Sequence, residues 1–513
     1  MRIPSLPSDI ISQILSFLHD DLHSLTCCSI TSHTFAFHAR PLIFRSLNLG
    51  EHTARFHASS RLAQYLQLVQ LDPKITQYTR SLSICLRSAP APAPTSTASL
   101  PVPPNKSKAQ NRLTRTLAPP PASAYPNFTD DPALLTAASL PFPLLESIAF
   151  TAHPYFRLNY KKVSPELGAA LNRLLRSYRI ESVQLAWIDN VPRILLMGTR
   201  CMRNLKLDCV KFCTGNSCGV VGPGNGVEIG DGNEENRQKR IKLHSLEVRP
   251  GSNPSLQSTW DFILGTPITS STGLINLPET PTLPSSTTAR GNVDTKQANN
   301  TYLDLTRLRT FSCIHGFDQR TFSAWRIMQT AANTLTRFHW HYDCLDIPTI
   351  LDLSLLPALR ELDVSLFPFR APTASQLRSV VRLFETGRTE NSEMRKVYLT
   401  LDAAKASFAI EAFTEDAPCA WVEDMDDVLG SQGCMERQES EEGIGCSATG
   451  RLSGYTQLNR LGLRLVASRS AKSASSAELA AGLRKRMRKL EGRGMLDVQV
   501  YVMAFDSSNS DDY

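Results

Sequence analysis

No run of 18 consecutive apolar residues occurs in the sequence, so no segment reads as a membrane-spanning helix. His-x-Glu and H-E-x-x-H are missing, which removes the commonest zinc-enzyme signatures. The opening MRIPSLPSDIISQILSFL has its apolar residues interrupted by Pro7, Ser8, Asp9, Ser12 and Gln13 and offers no small-residue cleavage site. It is therefore not expected to be a secretory leader, and the twelve cysteines are expected to be reduced thiols of a cytoplasmic or nuclear protein. A strict repeat period is also lacking. What remains is a chain of 513 residues, 42% apolar and 20% charged. That is ordinary globular composition and excludes collagen, a coiled-coil rod or a wholly disordered tail.

Charge is unevenly spread. Residues 411–442 hold eleven acids against one base, a net of −10, while the whole chain is +7. The split reads as an acidic loop tethered to a basic body, able to recruit a basic partner or to shield that body. Residues 89–126 contain ten of the 32 prolines, with Ala, Ser and Thr between them, too little apolar surface to offset ordering entropy. Low-complexity inserts are thus expected near 89–130, 214–239, 265–300 and 414–454.

Between these inserts an apolar pair at i and i+2 recurs. It stands at Leu82/Ile84, Ile148/Phe150, Val183/Leu185, Leu205/Leu207 and Leu246/Val248, and again at Phe338/Trp340, Leu362/Val364, Val397/Leu399, Leu461/Leu463 and Val498/Val500. Its fullest forms are Phe142-x-x-Leu145-x-x-Ile148-x-Phe150 and Leu356-x-x-Leu359-x-x-Leu362-x-Val364. Such short alternation predicts strands with one face buried. Helical periodicity is expected over 165–178, behind Ser164 and Pro165, and over 374–385, 321–332 and 477–490. Strand, loop, helix, strand at irregular spacing predicts a mixed α+β and α/β chain, organised over 51–513 as an irregular leucine-rich-repeat-like solenoid. An ordinary α/β domain with many insertions is the alternative.

The first fifty residues form a different pattern. Ile10, Ile11, Ile14, Leu15 and Leu18 have helical spacing behind Ser8, a candidate N-cap, and Asp9 suits the first turn. A second helix starts after Asp20-Asp21 and carries Leu22, Leu25 and Ile30. A third is expected over Ser32–Ala39 with Phe35, ending at Arg40-Pro41 because proline disfavours α geometry before itself. A domain this small is marginal alone, so its surplus apolar surface needs a neighbour, either the rest of the chain or a partner protein.

The stretch LPSDIISQILSFLHDDLHSLTCCSITSHTFAFHARPLIFRSLNL closely resembles the F-box motif, which opens Leu-Pro-x-Glu/Asp-Ile/Leu. Its ending Ala39-Arg40-Pro41-Leu42-Ile43-Phe44-Arg45 resembles F-box proteins common in mushroom-forming fungi. Asp9 stands where Glu is more usual, and Phe35 near the usual third-helix Trp. The resemblance implies docking to a Skp-family adaptor, and through it to cullin and RING subunits of a ubiquitin ligase. It further implies adaptor contacts at Leu6, Pro7, Ile10, Ile11, Ile14, Leu15, Leu18 and Leu22, with Leu25, Ile30 and Phe35 building the domain's own core. The expected role is to bring an unnamed protein target to the ligase, with no catalysis, cofactor, metal, nucleic acid or membrane involved. The alternative is an interaction protein whose N-terminal helices merely cap a solenoid.

Other motifs are weak. Gly215-Asn216-Ser217-Cys218-Gly219 fits G-x-S-x-G, but the glycines and Pro223 that follow permit no helix, so neither a nucleophile elbow nor a phosphate cradle at Gly222, Gly224 and Gly226 is expected. Cys201, Cys209, Cys213 and Cys218 lack a second zinc knuckle. His339 and His341 flank Trp340 as a solvated strand face. Basic clusters at Arg237–Lys242 and Arg484–Lys489 carry no interleaved aromatics for base stacking and read first as charged outer faces.

Overall fold

The computed structural model describes residues 6–49, 58–86, 132–152, 154, 157–177, 179–197, 199, 201–213, 240–249, 257–265, 303–315, 321–342, 351–366, 374–387, 392–402, 420–430, 455, 457–468 and 475–503. The inserts expected near 89–130, 214–239 and 265–300 lie outside these residues apart from Gly265, and with them Ser217, Cys218, the three glycines and half of the basic cluster at 237–242, Arg237 and Lys239. Two compact units are present, residues 1–201 with 210–233, and 202–209 with 234–513.

The first unit begins with helices α1 (Ser8–Ser16), α2 (Leu22–Thr31) and α3 (His33–Ile43), then β1 (Ser46–Asn48), α4 (Ala58–Leu71), α5 (Ile75–Tyr78), β2 (Ser81–Leu86) and α6 (Pro132–Ala138). It continues with β3 (Ser147–Ala152), β4 (Leu158–Asn159), α7 (Pro165–Leu175), β5 (Ser182–Ala186), β6 (Ile188–Asp189) and α8 (Ile194–Met197). Strands β1, β2, β3 and β5 pair side by side in chain order, all parallel. Their apolar pairs lie in register: Leu82 opposite Ile148 opposite Val183, and Ile84 opposite Phe150 opposite Leu185. All six are buried. Helix α7 starts as its residues dictate, Ser164 Oγ accepting the Leu167 N–H at 3.2 Å and Pro165 at the first turn.

The second unit holds β7 (Asn204–Asp208), β8 (Ile241–Lys242), β9 (Ser245–Arg249), α9 (Gln257–Leu264), β10 (Leu303–Asp304), β11 (Thr310–His315), α10 (Thr321–Thr330), β12 (Arg337–Tyr342) and β13 (Glu361–Leu366). After these come α11 (Ala374–Thr386), β14 (Lys396–Asp402), α12 (Ala420–Gly430), β15 (Arg460–Ser468), α13 (Ser476–Arg486), α14 (Arg488–Gly492) and β16 (Leu496–Met503). Here too the strands β7, β9, β11, β12, β13, β14, β15 and β16 pair parallel in chain order. One buried ladder runs Leu205, Leu246, Phe311, Phe338, Leu362, Val397, Leu461; a second runs Leu207, Val248, Cys313, Trp340, Val364, Leu399, Leu463, Val498. Phe311 and Phe338 stack across the sheet with ring centroids 5.7 Å apart.

The opposite face is polar. Lys206 lies opposite Glu247, Glu247 opposite Ser312, Ser312 opposite His339 and His339 opposite Asp363. Sheets made only of parallel strands usually carry near-continuous apolar runs because both faces are covered. Here buried apolar residues alternate with more exposed polar ones over the first residues of each strand, as in a sheet with one buried face.

Four expectations change. Strand β11 was not expected, although Leu305-x-x-Leu308-x-x-Phe311-x-Cys313 repeats the fullest form of the pattern. The last apolar pair is one rung out of step: Leu461 lies opposite Leu496 and Leu463 opposite Val498, so Val500 pairs with Leu465. The helix expected over 477–490 is broken at Met487 into α13 and α14. Within the acidic stretch, residues 420–430 are a helix and not a loop. Trp421, Val422, Met425, Val428 and Leu429 of α12 are buried. Its buried Asp426 accepts the N–H groups of Lys489 and Leu490 at 2.9 and 3.0 Å, capping α14. Glu423 pairs with Arg486 at 3.5 Å and Asp427 with Lys489 at 2.5 Å. The acidic stretch and the basic cluster thus meet in the fold.

Candidate adaptor-binding site

Helix α1 carries two adjacent apolar stripes. Ile11, Leu15 and Leu18 are spaced four and three residues apart, as are Ile10, Ile14 and Phe17 one position earlier. The first stripe turns inward. Ile11 and Leu15 join Leu25 and Ala39 in a buried cluster, with Leu18, Cys28, Phe35, Leu42 and Ile43 packed against it. The second stripe faces water: Leu6 is 53% exposed, Ile10 42%, Ile14 44%, Phe17 78% and, at the start of α2, Leu22 58%.

Polar contacts hold α1 in that orientation. Both ring nitrogens of His38 on α3 are engaged, Nε2 with Ser8 Oγ at 2.7 Å and Nδ1 with Ser12 Oγ at 2.9 Å. Ser8 is therefore the first helical residue and not the N-cap. Pro7 takes the cap position, its carbonyl accepting from Ile10 and Ile11 at 3.1 and 3.2 Å. Asp21 does cap α2, accepting the Ser24 N–H at 3.0 Å and the Ser24 hydroxyl at 2.6 Å. These bonds hold the Asp21 carboxyl below its ordinary pKa.

Helix α3 runs through Pro41 to Ile43 where an end at Arg40-Pro41 was expected. Proline removes one ladder bond, but only in the last turn, and Leu42 and Ile43 gain burial against the cluster by staying helical. Arg40 reaches Asp72 at 3.3 Å, tying α3 to the turn between α4 and α5.

The residues expected to touch an adaptor therefore divide. Leu6, Pro7, Ile10, Ile14 and Leu22 are exposed; Ile11 and Leu15 belong to the interior and Leu18 is half-buried against it. Ile30, expected in the core, is 80% exposed, whereas Leu25 and Phe35 do build it. Phe17 is not among the expected contacts, although its spacing from Ile10 and Ile14 puts it on the exposed row.

A family model described as the COS11 F-box domain matches residues 3–86. The chain is an F-box protein. No curated protein matches it. The matched segment spans α1 to α3 and runs on through β1, α4 and α5 to the end of β2, well past residue 50. F-box domains generally bind Skp1-type adaptors, and this one gives the chain the general role of an adaptor-binding subunit of an SCF-type ubiquitin ligase.

The remaining candidates offer less. Among the described residues no group of three or more His, Cys, Asp or Glu is placed to hold a metal ion. Cys213 Sγ donates to the Asn190 carbonyl at 3.1 Å. His339 Nδ1 lies 3.4 Å from Asp363 Oδ2 on the polar sheet face. That contact raises the histidine's pKa, with burial opposing it, while burial lowers the pKa of His341.

Proposed function

We propose that this F-box protein is a substrate-recognition subunit of a Skp–cullin–F-box ubiquitin ligase, docking the adaptor through Leu6, Pro7, Ile10, Ile14, Phe17 and Leu22. The observation that carries this is the double stripe of α1. The three-helix bundle α1–α3 already fills its interior with Ile11, Leu15 and Leu25, yet leaves a second apolar row in water. Contiguous exposed apolar surface of that kind marks a protein-binding face. Ile11, Leu15 and Leu18 support the row from behind and contribute rigidity.

The region after the helical domain is read as leucine-rich-repeat-like and as the part that holds the protein target. Support comes from parallel strands in chain order, buried ladders on one face and a polar face opposite. In this reading the chain makes and breaks no covalent bond. Its contribution is the raised effective concentration of target beside the ubiquitin-charged E2.

Co-purification of the full chain with a Skp-family adaptor and a cullin tests the proposal. A stable ternary complex is expected. Failure of the adaptor to co-elute would leave an interaction protein whose helices only cap the sheet.

A further inference from the structure

The strand-entry edge of the second unit carries a site of different chemistry. At this edge the carbonyl preceding one strand accepts from two consecutive N–H groups at the entry of the next. Arg309 O takes Thr336 N and Arg337 N, both at 2.9 Å, and Thr336 O takes Arg360 N and Glu361 N at 2.9 and 3.0 Å. Arg360 O takes Arg395 N and Lys396 N at 2.8 and 3.0 Å. Backbone held this way steps at the strand spacing of about 4.8 Å and sets the side chains in a row.

Arg309, Arg337, Arg360, Arg395 and Lys396 line a cleft of about 600 Å³ there, with Glu361 among them. All five cations are exposed. Arg337 pairs with Glu361 at 3.3 Å and Arg360 with Glu393 at 2.8 Å, so positive charge remains in excess. The hydroxyls of Thr334 and Thr336 donate to backbone carbonyls, Thr336 Oγ1 to Arg309 O at 3.1 Å, so the cations are what a ligand meets.

We propose that this cleft binds an extended peptide segment whose side chains carry oxyanions, carboxylate or phosphate. The proposal rests on the reading of this region as the target-binding part. Arginine forks suit carboxylate and phosphate oxygens alike. A nucleic acid fits less well: Glu361 and Glu393 stand among the cations against a continuous phosphate chain, and among the described residues no aromatic side chain lines the cleft for bases to stack on.

Fluorescence anisotropy with the full chain alone, without adaptor, tests this independently of adaptor docking. The probes are a glutamate-rich dodecapeptide, its phosphoserine twin, its uncharged glutamine twin and a single-stranded oligonucleotide. Binding of at least one anionic peptide is expected, weakening with salt, with none of the glutamine twin. Which anionic peptide binds tighter tells carboxylate from phosphate. Arg309→Glu/Lys396→Glu should weaken it about tenfold or more. The equal charge change Arg326→Glu/Arg382→Glu, at exposed positions on α10 and α11, should change it less than about threefold. Absence of peptide binding, equal loss in both variants, or tighter cleft-dependent binding of the oligonucleotide would each overturn the proposal.

Discussion

At the scale of single residues, Ile14 and Leu15 are neighbours in sequence with opposite tasks. Leu15 is fully buried and Ile14 is half out in water. Leu15→Ala should therefore cost about 2–5 kcal/mol in chemical denaturation. Ile14→Ala should cost less than about 1 kcal/mol. Adaptor affinity should order the other way when each variant is assayed below its unfolding midpoint. Gly462 is a second instance. A Cβ there would stand 2.6 Å from Cδ1 of the Tyr398 ring, which lies over the glycine with Arg460 5.8 Å from its centroid. Gly462→Ala should lose about 1–3 kcal/mol by thermal melting, and Tyr398→Ser in the same chain should restore part of it.

His339 and His341 supply a pH dependence with opposing signs. The folded pKa of His339 is raised by Asp363, so its stabilisation is complete below the unfolded value of 6.5 and is lost as pH rises through the folded value. For His341 the folded pKa is lowered by burial, so stability is lost as pH falls below 6.5. His339→Gln should flatten the loss of stability above pH 6.5, and His341→Gln the loss below it, in denaturant midpoints followed from pH 5 to 8.

At the scale of elements, Asp426 shows how an acidic stretch became structure. Its carboxylate closes the start of α14, and its helix buries Trp421, Met425 and Leu429. Asp426→Ala leaves two N–H groups without that acceptor and should cost about 1–3 kcal/mol in thermal or denaturant unfolding. Charge composition hid this helix: four acids in 423–427 dominate any local reading, while the apolar spacing Trp421, Met425, Val428 is itself helical. Strands with large apolar pairs were legible because alternation reports burial directly. Strand β11 was missed because Cys313 is a small member of its pair, and the shift in β16 because Val498 and Val500 satisfy the pattern as well as Leu496 and Val498 do. Register is decided by the neighbouring strand, which no local window contains. Pro41 predicts an earlier end to the third helix, but burial of Leu42 and Ile43 outweighs one lost bond.

At the scale of the whole molecule, an F-box domain opens the chain and leads within one unit into parallel strands β1, β2, β3 and β5. Apolar residue types of α1 were legible from sequence, but not which stripe turns inward. Two i, i+4, i+7 rows one residue apart are equivalent until α3 chooses between them, and the His38 bonds to Ser8 and Ser12 make that choice. The polar sheet face and the basic entry edge arise the same way, from residues far apart in sequence brought to one line by register.

The adaptor affinity of the full chain, measured by isothermal titration beside an Ile10→Ala/Ile14→Ala/Phe17→Ala variant, bears most directly on the role assigned to α1. These three side chains lie on the exposed row, so the variant should keep its fold and melting temperature while binding at least about a hundredfold more weakly. Undiminished affinity in a folded variant, or no affinity in the wild-type chain, would contradict the assignment of that row as the adaptor-binding face.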